Sequence, residues 1–162
     1  MKKILIALDY DPTAQKVAEA GYSLCNGIQN EITLLHVVEN PSYYASTVYD
    51  PIMGFGGYMD IDLLGIEAVD KIKSESAAFL NKAKEHLGNN NIKILVMEGK
   101  AGEIITSTAV SLQADMIIMG SHSRRWLERI LLGSVTQHVL NNTAIPLLII
   151  TTKKNSSPTI EN

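Results

Sequence analysis

Five short runs rich in isoleucine, leucine and valine constrain the fold of this sequence more than any other feature. They are Lys3–Leu8, Glu31–Val38, Ile92–Glu98, Asp115–Met119 and Pro146–Thr151. Most of them lack the alternation of apolar and polar residues that marks a strand with one face in water. Continuous apolar runs of this length are typical of strands covered on both faces, as in a parallel sheet.

Stretches with helical periodicity separate the apolar runs. We predict helices over Pro12–Asn26, Ile66–Leu87, Glu103–Leu112 and much of Trp126–Asn141. Each has one face of apolar or small residues. In the first helix these are Ala14, Val17, Ala18, Gly21, Leu24 and Cys25. In the second they are Val69, Ile72, Ala77, Leu80, Ala83 and Leu87, and in the third Ile104, Ile105, Thr108, Ala109 and Leu112.

Local signals mark the ends of two of these helices. Asp11 suits an N-cap, because proline follows it at the first helical position. Gly88 and the three asparagines after it end the second helix.

The regular alternation of strand and helix predicts an α/β fold. We expect an open, Rossmann-like, five-stranded parallel sheet with helices on both faces and right-handed crossovers. We find no internal repeat and no linker, so residues 1–152 are predicted to form one domain. We expect the polar tail Lys153–Asn162 to be disordered.

One long connection interrupts this alternation of strands and helices. Asn40–Gly65 contains five aromatic residues, namely Tyr43, Tyr44, Tyr49, Phe55 and Tyr58. Connections this long in compact domains are usually functional or disordered. A lid, a partner surface and a simple insertion all remain open for this segment.

The bulk properties exclude several functional classes. The net charge of the 162 residues is −3 at pH 7, which gives no reason to expect nucleic acid or an anionic membrane as a partner. The only cysteine is Cys25, so no intramolecular disulfide forms, which fits a reducing compartment. No run approaches the roughly 18 apolar residues of a membrane span. We therefore expect a cytoplasmic protein.

In open α/β sheets, ligands bind beyond the carboxyl ends of the strands, where the strand order reverses. Asp9 follows the first predicted strand, and Val37 lies at the end of the second. The fourth leads into Gly120-Ser121-His122-Ser123-Arg124, and nine residues separate Ser123 from Gly133-Ser134. These residues are the candidates for a ligand site.

The segment Ser134-Val135-Thr136-Gln137 matches a capping box, with Ser134 as the N-cap of a helix. A helix N-terminus presents unpaired N–H groups and a partial positive charge, which suit a phosphate group. Gly133 and Gly120 would bracket a polyphosphate, and Arg124 would add a charge-assisted contact. Each glycine alone is better explained as a turn or a cap, whereas together with Asp9 they favour a binding site.

This glycine pattern resembles the signature of ATP-binding universal stress proteins. The family pattern is glycine, two residues, glycine, nine residues, glycine, then serine or threonine. Four further segments look like the family: Lys3-Ile4-Leu5-Ile6-Ala7-Leu8-Asp9, Leu34-Leu35-His36-Val37-Val38, Ala114-Asp115-Met116-Ile117-Ile118-Met119-Gly120 and Ile145-Pro146-Leu147-Leu148-Ile149-Ile150. The resemblance covers about Lys2–Thr151 and implies the strand order 3-2-1-4-5.

The resemblance also implies a role for each matching residue. Asp9 and Val37 would contact adenine, with Ala7 and Leu8 lining the pocket for base and ribose. Beside the ribose and the first phosphate would lie Met119 and Gly120. The phosphates would be held by backbone groups of Ser123, Gly133, Ser134 and Val135. Any Mg²⁺ would arrive with the ATP or AMP, and the chain would form a homodimer through Pro146–Thr151.

One residue departs from the family pattern, because Ser123 stands where the family has its second glycine. A serine there costs about 1 kcal/mol or more if the position needs a positive φ, and little if it needs only a free N–H. Members that lack the glycines are thought not to bind ATP. This chain keeps two of the three glycines and the serine, which favours binding.

Three functional hypotheses follow. The leading one is a regulatory module that binds ATP or AMP, acts in the stress response and signals to a protein partner not identified by sequence. The second is a slow ATPase or autophosphorylating protein, although we find no nucleophile–base pair and assign no catalytic residue. The third is a dimeric interaction module with a vestigial pocket. No metal site is assigned, because the four histidines lack metal-ligand spacing.

Overall fold

A computed structural model describes residues 1–25, 29–39, 67–121 and 132–151. The strands are β1 (Lys2–Ala7), β2 (Asn30–Val38), β3 (Lys93–Glu98), β4 (Met116–Gly120) and β5 (Leu147–Ile150). The helices are α1 (Ala14–Cys25), α2 (Glu67–His86), α3 (Ala101–Ser111) and α4 (Ser134–Asn142). The predicted alternation of strands and helices is therefore confirmed over these residues.

The five strands form one parallel sheet in the order β3-β2-β1-β4-β5. This is the open α/β sheet expected from the sequence. Strand β1 lies at its centre, with Ala7 opposite Leu35 of β2 and Ile6 opposite Ile118 of β4. The order reverses at β1, so the neighbouring connections leave the sheet in opposite directions and open a crevice at its carboxyl edge.

Alternate side chains of the central strands enter two separate cores. On the face covered by α1 and α2, Ile4 and Ile6 pack against Val17 and Phe79. On the face covered by α3 and α4, Leu5 and Ile117 pack against Val139. The unbroken apolar runs of β1, β2 and β4 follow from this, because each residue in them has a core to enter.

The two edge strands differ from the prediction of strands buried on both faces. All four residues of β5 are only half-buried, and Met97 of β3 is 40% exposed. An edge strand has one neighbouring strand, and helices cover it incompletely, so the same apolar composition leaves part of its surface open.

Helix α1 begins at Ala14, two residues later than predicted. The Asp11 carboxylate still behaves as a cap, because it accepts hydrogen bonds from the backbone N–H and the hydroxyl of Thr13, at 2.9 and 2.6 Å. These bonds stabilise the turn that leads into the helix. The predicted inward position of Leu24 is wrong: it is 65% exposed, at the margin of the apolar stripe near the helix end.

Helices α2 and α3 agree with the prediction except at their ends and in one core residue. Of the helix predicted within Trp126–Asn141, residues 126–131 lie outside the described residues, and the described helix α4 begins at Ser134. Helix α2 ends as predicted, because Gly88 adopts a φ of 65°, which glycine tolerates best. Its fully buried Phe79 was absent from the predicted inward face. Helix α3 begins at Ala101, two residues before the predicted start. Among the described residues, no helix has the length and apolar character needed to span a bilayer.

Candidate functional site

The carboxyl end of β1 brings Ala7, Leu8 and Asp9 to the crevice. The N–H of Leu8 donates to the carbonyl oxygen of Leu35 at 2.9 Å, which extends the pairing of β1 with β2 by one residue. Asp9 is exposed, and its carboxylate accepts a 3.3 Å hydrogen bond from the N–H of Asp11. The Leu8 side chain is buried in the core beside α1 and α2, so it offers its backbone rather than its side chain to a ligand.

Val37 of β2 lies two residues beyond Leu35, the partner of Ala7 at the end of β1, and Asp9 lies two residues beyond Ala7. Val37 is half-buried and packs, like Ala7, against the core on the α3 and α4 side. Asp9 and Val37 therefore both lie at the carboxyl edge of adjacent strands, where the family resemblance implies contacts with one base.

The end of β4 brings Met119 and Gly120 beside β1, because Ile6 pairs with Ile118. Met119 is buried in the same core as Val37, so its backbone is the part nearest a ligand. The buried Thr136 donates from its hydroxyl to the carbonyl oxygen of Gly120 at 2.9 Å. This bond fixes the first turn of α4 at the carboxyl end of β4.

The capping box predicted at Ser134 is wrong. Ser134 is the first helical residue and Gly133 is the N-cap, with its carbonyl oxygen 2.9 Å from the N–H of Gln137 and no side-chain cap. The early N–H groups of a helix have no partner in the preceding turn. Because the cap residue is a glycine, it has no side chain to compete with an anion for the N–H groups of Ser134 and Val135.

Of the eleven residues predicted to form the site, two lie outside the described residues, namely Ser123 and Arg124. The same holds for His122, for the aromatic segment Asn40–Gly65 and for the tail Lys153–Asn162. The other nine share the carboxyl edge of β2, β1 and β4 and the adjoining start of α4.

Sequence reasoning missed the residues that enclose this edge on the α3 side. An open cleft of about 190 Å³ runs between the starts of α3 and α4. It is lined by Glu39, Lys100, Gly102, Glu103, Ser134, Val135 and His138. Ser134 and Val135 thus belong both to the cleft and to the predicted site. Glu39 was detectable, since it directly follows β2 at the same edge.

The charge of the cleft is mixed. One carboxylate oxygen of Glu39 accepts a 2.8 Å hydrogen bond from the N–H of Ala101, so it caps α3, whose own N-cap residue Lys100 provides no side-chain cap. The Lys100 ammonium lies 3.2 Å from Glu103. Two carboxylates and one ammonium give the lining no excess of positive charge.

Beneath the edge, on the other face, His36 holds the end of β1. Its Nδ1 donates to the carbonyl oxygen of Leu8 at 2.8 Å, because a carbonyl only accepts. Its Nε2 is buried and has no hydrogen-bond partner. Desolvation, opposed by the bond to Leu8, lowers the pKa of His36 to about 4, so the ring is neutral at physiological pH.

A second buried polar contact lies beside this imidazole. The Ser76 hydroxyl donates to the carbonyl oxygen of Ile72 at 2.7 Å, which uses its single hydrogen. The Tyr10 hydroxyl must then be the donor in its 2.5 Å contact with Ser76. The Tyr10 and His36 ring centroids are 4.2 Å apart, so this contact supports the same part of the edge.

The remaining candidates are structural. Cys25 is buried, and burial raises the pKa of its thiol, which disfavours the reactive thiolate. Across the described ranges, no three histidine, cysteine or acidic side chains are grouped as metal ligands.

An open parallel sheet, with a polar carboxyl edge at the point where the strand order reverses, defines the class of Rossmann-like α/β proteins with a ligand crevice. Within that class, the model of the universal stress protein family matches residues 1–151. The chain therefore belongs to the universal stress protein family.

Individual relatives agree with this assignment. Universal stress protein MJ0577 of Methanocaldococcus jannaschii is 28% identical over 158 residues, covering 96% of this chain and 97% of that protein. Its solved structure aligns with a TM-score of 0.71 at 27% identity, over 94% of this chain and 97% of the other. Universal stress protein A homolog 2 of Coxiella burnetii is 29% identical over 153 residues, covering 94% and 96%.

A more distant relative has been solved with a ligand. It is a universal stress protein in complex with cAMP, which aligns with a TM-score of 0.62 at 13% identity, over 94% of this chain and 98% of that one. At this identity the likeness concerns the fold alone.

Proposed function

We propose that this protein binds an adenine nucleotide, ATP or AMP, at the carboxyl edge of its sheet and acts as a regulatory module in the stress response. The observation that carries the proposal is the 2.9 Å hydrogen bond from Thr136 to Gly120. It holds a helix start with glycine as its N-cap beside the end of β4, which pairs with β1, the strand that leads to Asp9 and that is flanked on its other side by β2 with Val37. A base between the two strand ends and phosphates at α4 would then belong to one ligand.

The cAMP complex of a universal stress protein supports the choice of ligand, because cAMP is an adenine nucleotide held by the same fold. The mixed charge of the cleft supports binding over fast catalysis, since phosphoryl transfer is helped by cations placed at the phosphates. In the proposed assembly, two copies pair through Pro146–Thr151 in the cytoplasm, and the bound nucleotide changes a surface that a protein partner recognises. A ligand achieves such a change only through its different affinities for the two states.

The test combines ligand identification with a substitution at the cap. Protein purified without added nucleotide is denatured, and the released compounds are identified by liquid chromatography with mass detection. Calorimetric titrations with ATP, ADP and AMP follow, for the wild type and for Gly133→Val. Gly133 has φ −59° and ψ 155°, a conformation that valine also adopts, so the substitution removes space above the backbone without straining it.

The matched control is Val110→Ser, on the exposed side of α3. We expect adenine nucleotide to bind the wild type and the control, and not Gly133→Val. If no adenine nucleotide is released and none binds while circular dichroism shows a folded protein, the proposal is wrong and the dimeric interaction module stands. Steady ADP release from ATP, lost in Gly133→Val, would establish the slow ATPase.

A further inference from the structure

Helices α3 and α4 meet at a contact that only glycine permits. Gly102 is the second residue of α3 and is buried. A Cβ built on it would lie 2.6 Å from Cδ2, 2.7 Å from Cγ and 2.9 Å from Cβ of His138. Non-bonded carbon atoms prefer about 3.5–4.0 Å, so no side chain fits at position 102 with α4 where it is.

Rotation of the imidazole does not relieve this overlap. The His138 Cβ is attached directly to the α4 backbone and is itself 2.9 Å from the added atom. A side chain at position 102 therefore moves one helix relative to the other. Alanine is the better helix former, so local helix preference does not account for the glycine. The close approach of α3 and α4 explains the glycine.

A shift of α4 is transmitted directly to the candidate phosphate site. His138 lies two residues after Thr136, whose hydroxyl is bonded to Gly120, and one residue before Val139, which is fully buried against the sheet. Thr136, His138 and Val139 all lie in the same nine-residue helix, which begins at Ser134. Moving His138 away from α3 therefore moves the N–H groups at the start of α4.

We propose that Gly102 is a positioning residue for nucleotide binding. By leaving space for the imidazole of His138, it lets α4 begin where its first N–H groups face the carboxyl edge of the sheet. Gly102 need not touch the nucleotide in this role. The inference rests on the proposed function, and it adds a determinant of affinity on an element that the sequence pattern did not assign to the site.

The test is a double-mutant cycle with Gly102→Ala, His138→Gly and the combined variant. We expect Gly102→Ala to weaken adenine-nucleotide binding by about tenfold, as a displaced contact surface predicts. The combined variant should bind as His138→Gly alone does, because removing the ring together with its Cβ restores the space. A merely structural loss of packing would persist in the combined variant.

Gly21→Ala is the matched control. Gly21 is also a buried helical glycine, and an added Cβ would lie 3.2 Å from Ile118 and 3.3 Å from Ile6, on the opposite face of the sheet. We expect it to lower the melting temperature and to leave nucleotide affinity unchanged. Equal affinity of Gly102→Ala and wild type, or a loss equal to that of Gly21→Ala, would overturn the positioning role.

Amide hydrogen exchange tests the positioning without nucleotide. We expect the amides of α4 to exchange faster in Gly102→Ala and to recover in the combined variant. If the wild type binds no nucleotide, the proposed function is wrong, and the exchange data still decide whether Gly102 fixes α4. Unchanged exchange in Gly102→Ala would overturn the inference even if the wild type binds nucleotide.

Discussion

The hydroxyl of Thr136 donates a 2.9 Å hydrogen bond to the carbonyl oxygen of Gly120, which lies 16 residues earlier in the chain. Thr136 is in the first turn of α4, and Gly120 is the last residue of β4. The bond therefore joins the helix start and the strand end that together form the candidate phosphate site.

Replacing Thr136 with valine keeps the shape and removes this bond. We expect the free energy of unfolding to fall by about 1–2 kcal/mol, because a half-buried carbonyl loses its hydroxyl partner. Nucleotide affinity should fall as well, since the start of α4 is no longer held to β4. Chemical denaturation and calorimetry measure the two effects. Thr136→Ser keeps the hydroxyl and should bind nucleotide like the wild type, so equal affinities of the valine and serine variants would contradict this role.

The buried His36 makes stability depend on pH. Its pKa is about 4 in the folded protein and 6.5 as the ordinary value, so the unfolded chain takes up a proton first as the pH falls. Stability is then complete above the ordinary pKa and is lost as the pH falls towards 4. Between about pH 7.5 and about pH 5 we expect a loss of about 2 kcal/mol from this residue.

The comparison that isolates this effect is His36→Phe, which cannot titrate and has no unpaired buried nitrogen. Denaturant unfolding of both proteins across that range should show a steeper pH dependence for the wild type. Glu19 interferes little, because hydrogen bonds from Gln15 and His86 lower its pKa, so its contribution to stability is lost only at a lower pH. Parallel pH curves for the two proteins would rule out a neutral His36 as the cause.

Glu39 caps α3 from a different element of the fold. Its carboxylate accepts a 2.8 Å hydrogen bond from the N–H of Ala101 and places a negative charge at the helix N-terminus. We expect Glu39→Ala to lower the free energy of unfolding by about 1 kcal/mol. Glu39→Gln keeps an acceptor oxygen and should lose less stability than Glu39→Ala. Thermal unfolding at low and high salt checks this, because the stabilisation by the Glu39 charge should shrink with salt. Equal losses of stability in both variants would refute the cap.

The outer edge of β5, which pairs with no further strand among the described residues, provides a test of the proposed dimer. The carbonyl oxygen of Pro146 accepts a hydrogen bond from Ile117 of β4, and that of Ile150 accepts one from Ser121, directly after β4. In a parallel ladder alternate residues face alternate neighbours, so the backbone of Ile149 faces away from β4. Ile149→Pro removes an outward N–H without removing a bond to β4. We expect this variant to remain folded by circular dichroism and to sediment as a monomer. A dimer that survives the substitution would show that pairing does not use this edge.

The fold could be predicted because its signal is local. The uninterrupted apolar runs of β1, β2 and β4 indicated strands with two covered faces, and the glycine at position 88 marked a helix end. The exposure of Leu24 and Met97 was not predicted, because exposure at a helix margin or a sheet edge depends on which neighbours are present. No periodicity in a single segment records those neighbours.

The site was predictable in part. Asp9, Val37 and Gly120 were found because the carboxyl ends of parallel strands meet at one edge. The capping box predicted at Ser134 is wrong because the helix begins at Ser134 itself, one residue earlier than that motif requires. Gly133 is therefore the cap. Gly102 and Thr136 act on elements distant in sequence, so their local patterns carried no sign of these contacts, and Glu39 was detectable only through its place directly after β2.

The sequence by itself determined the succession of elements, the class of the sheet and the family resemblance, since periodicity, strand length and motif spacing are properties of contiguous residues. Only the tertiary structure decided how α4 is held at the end of β4 and why position 102 requires a glycine. Both depend on distances between segments that are far apart in the chain. Those distances exist only once the two cores have packed and fixed the helices against the sheet.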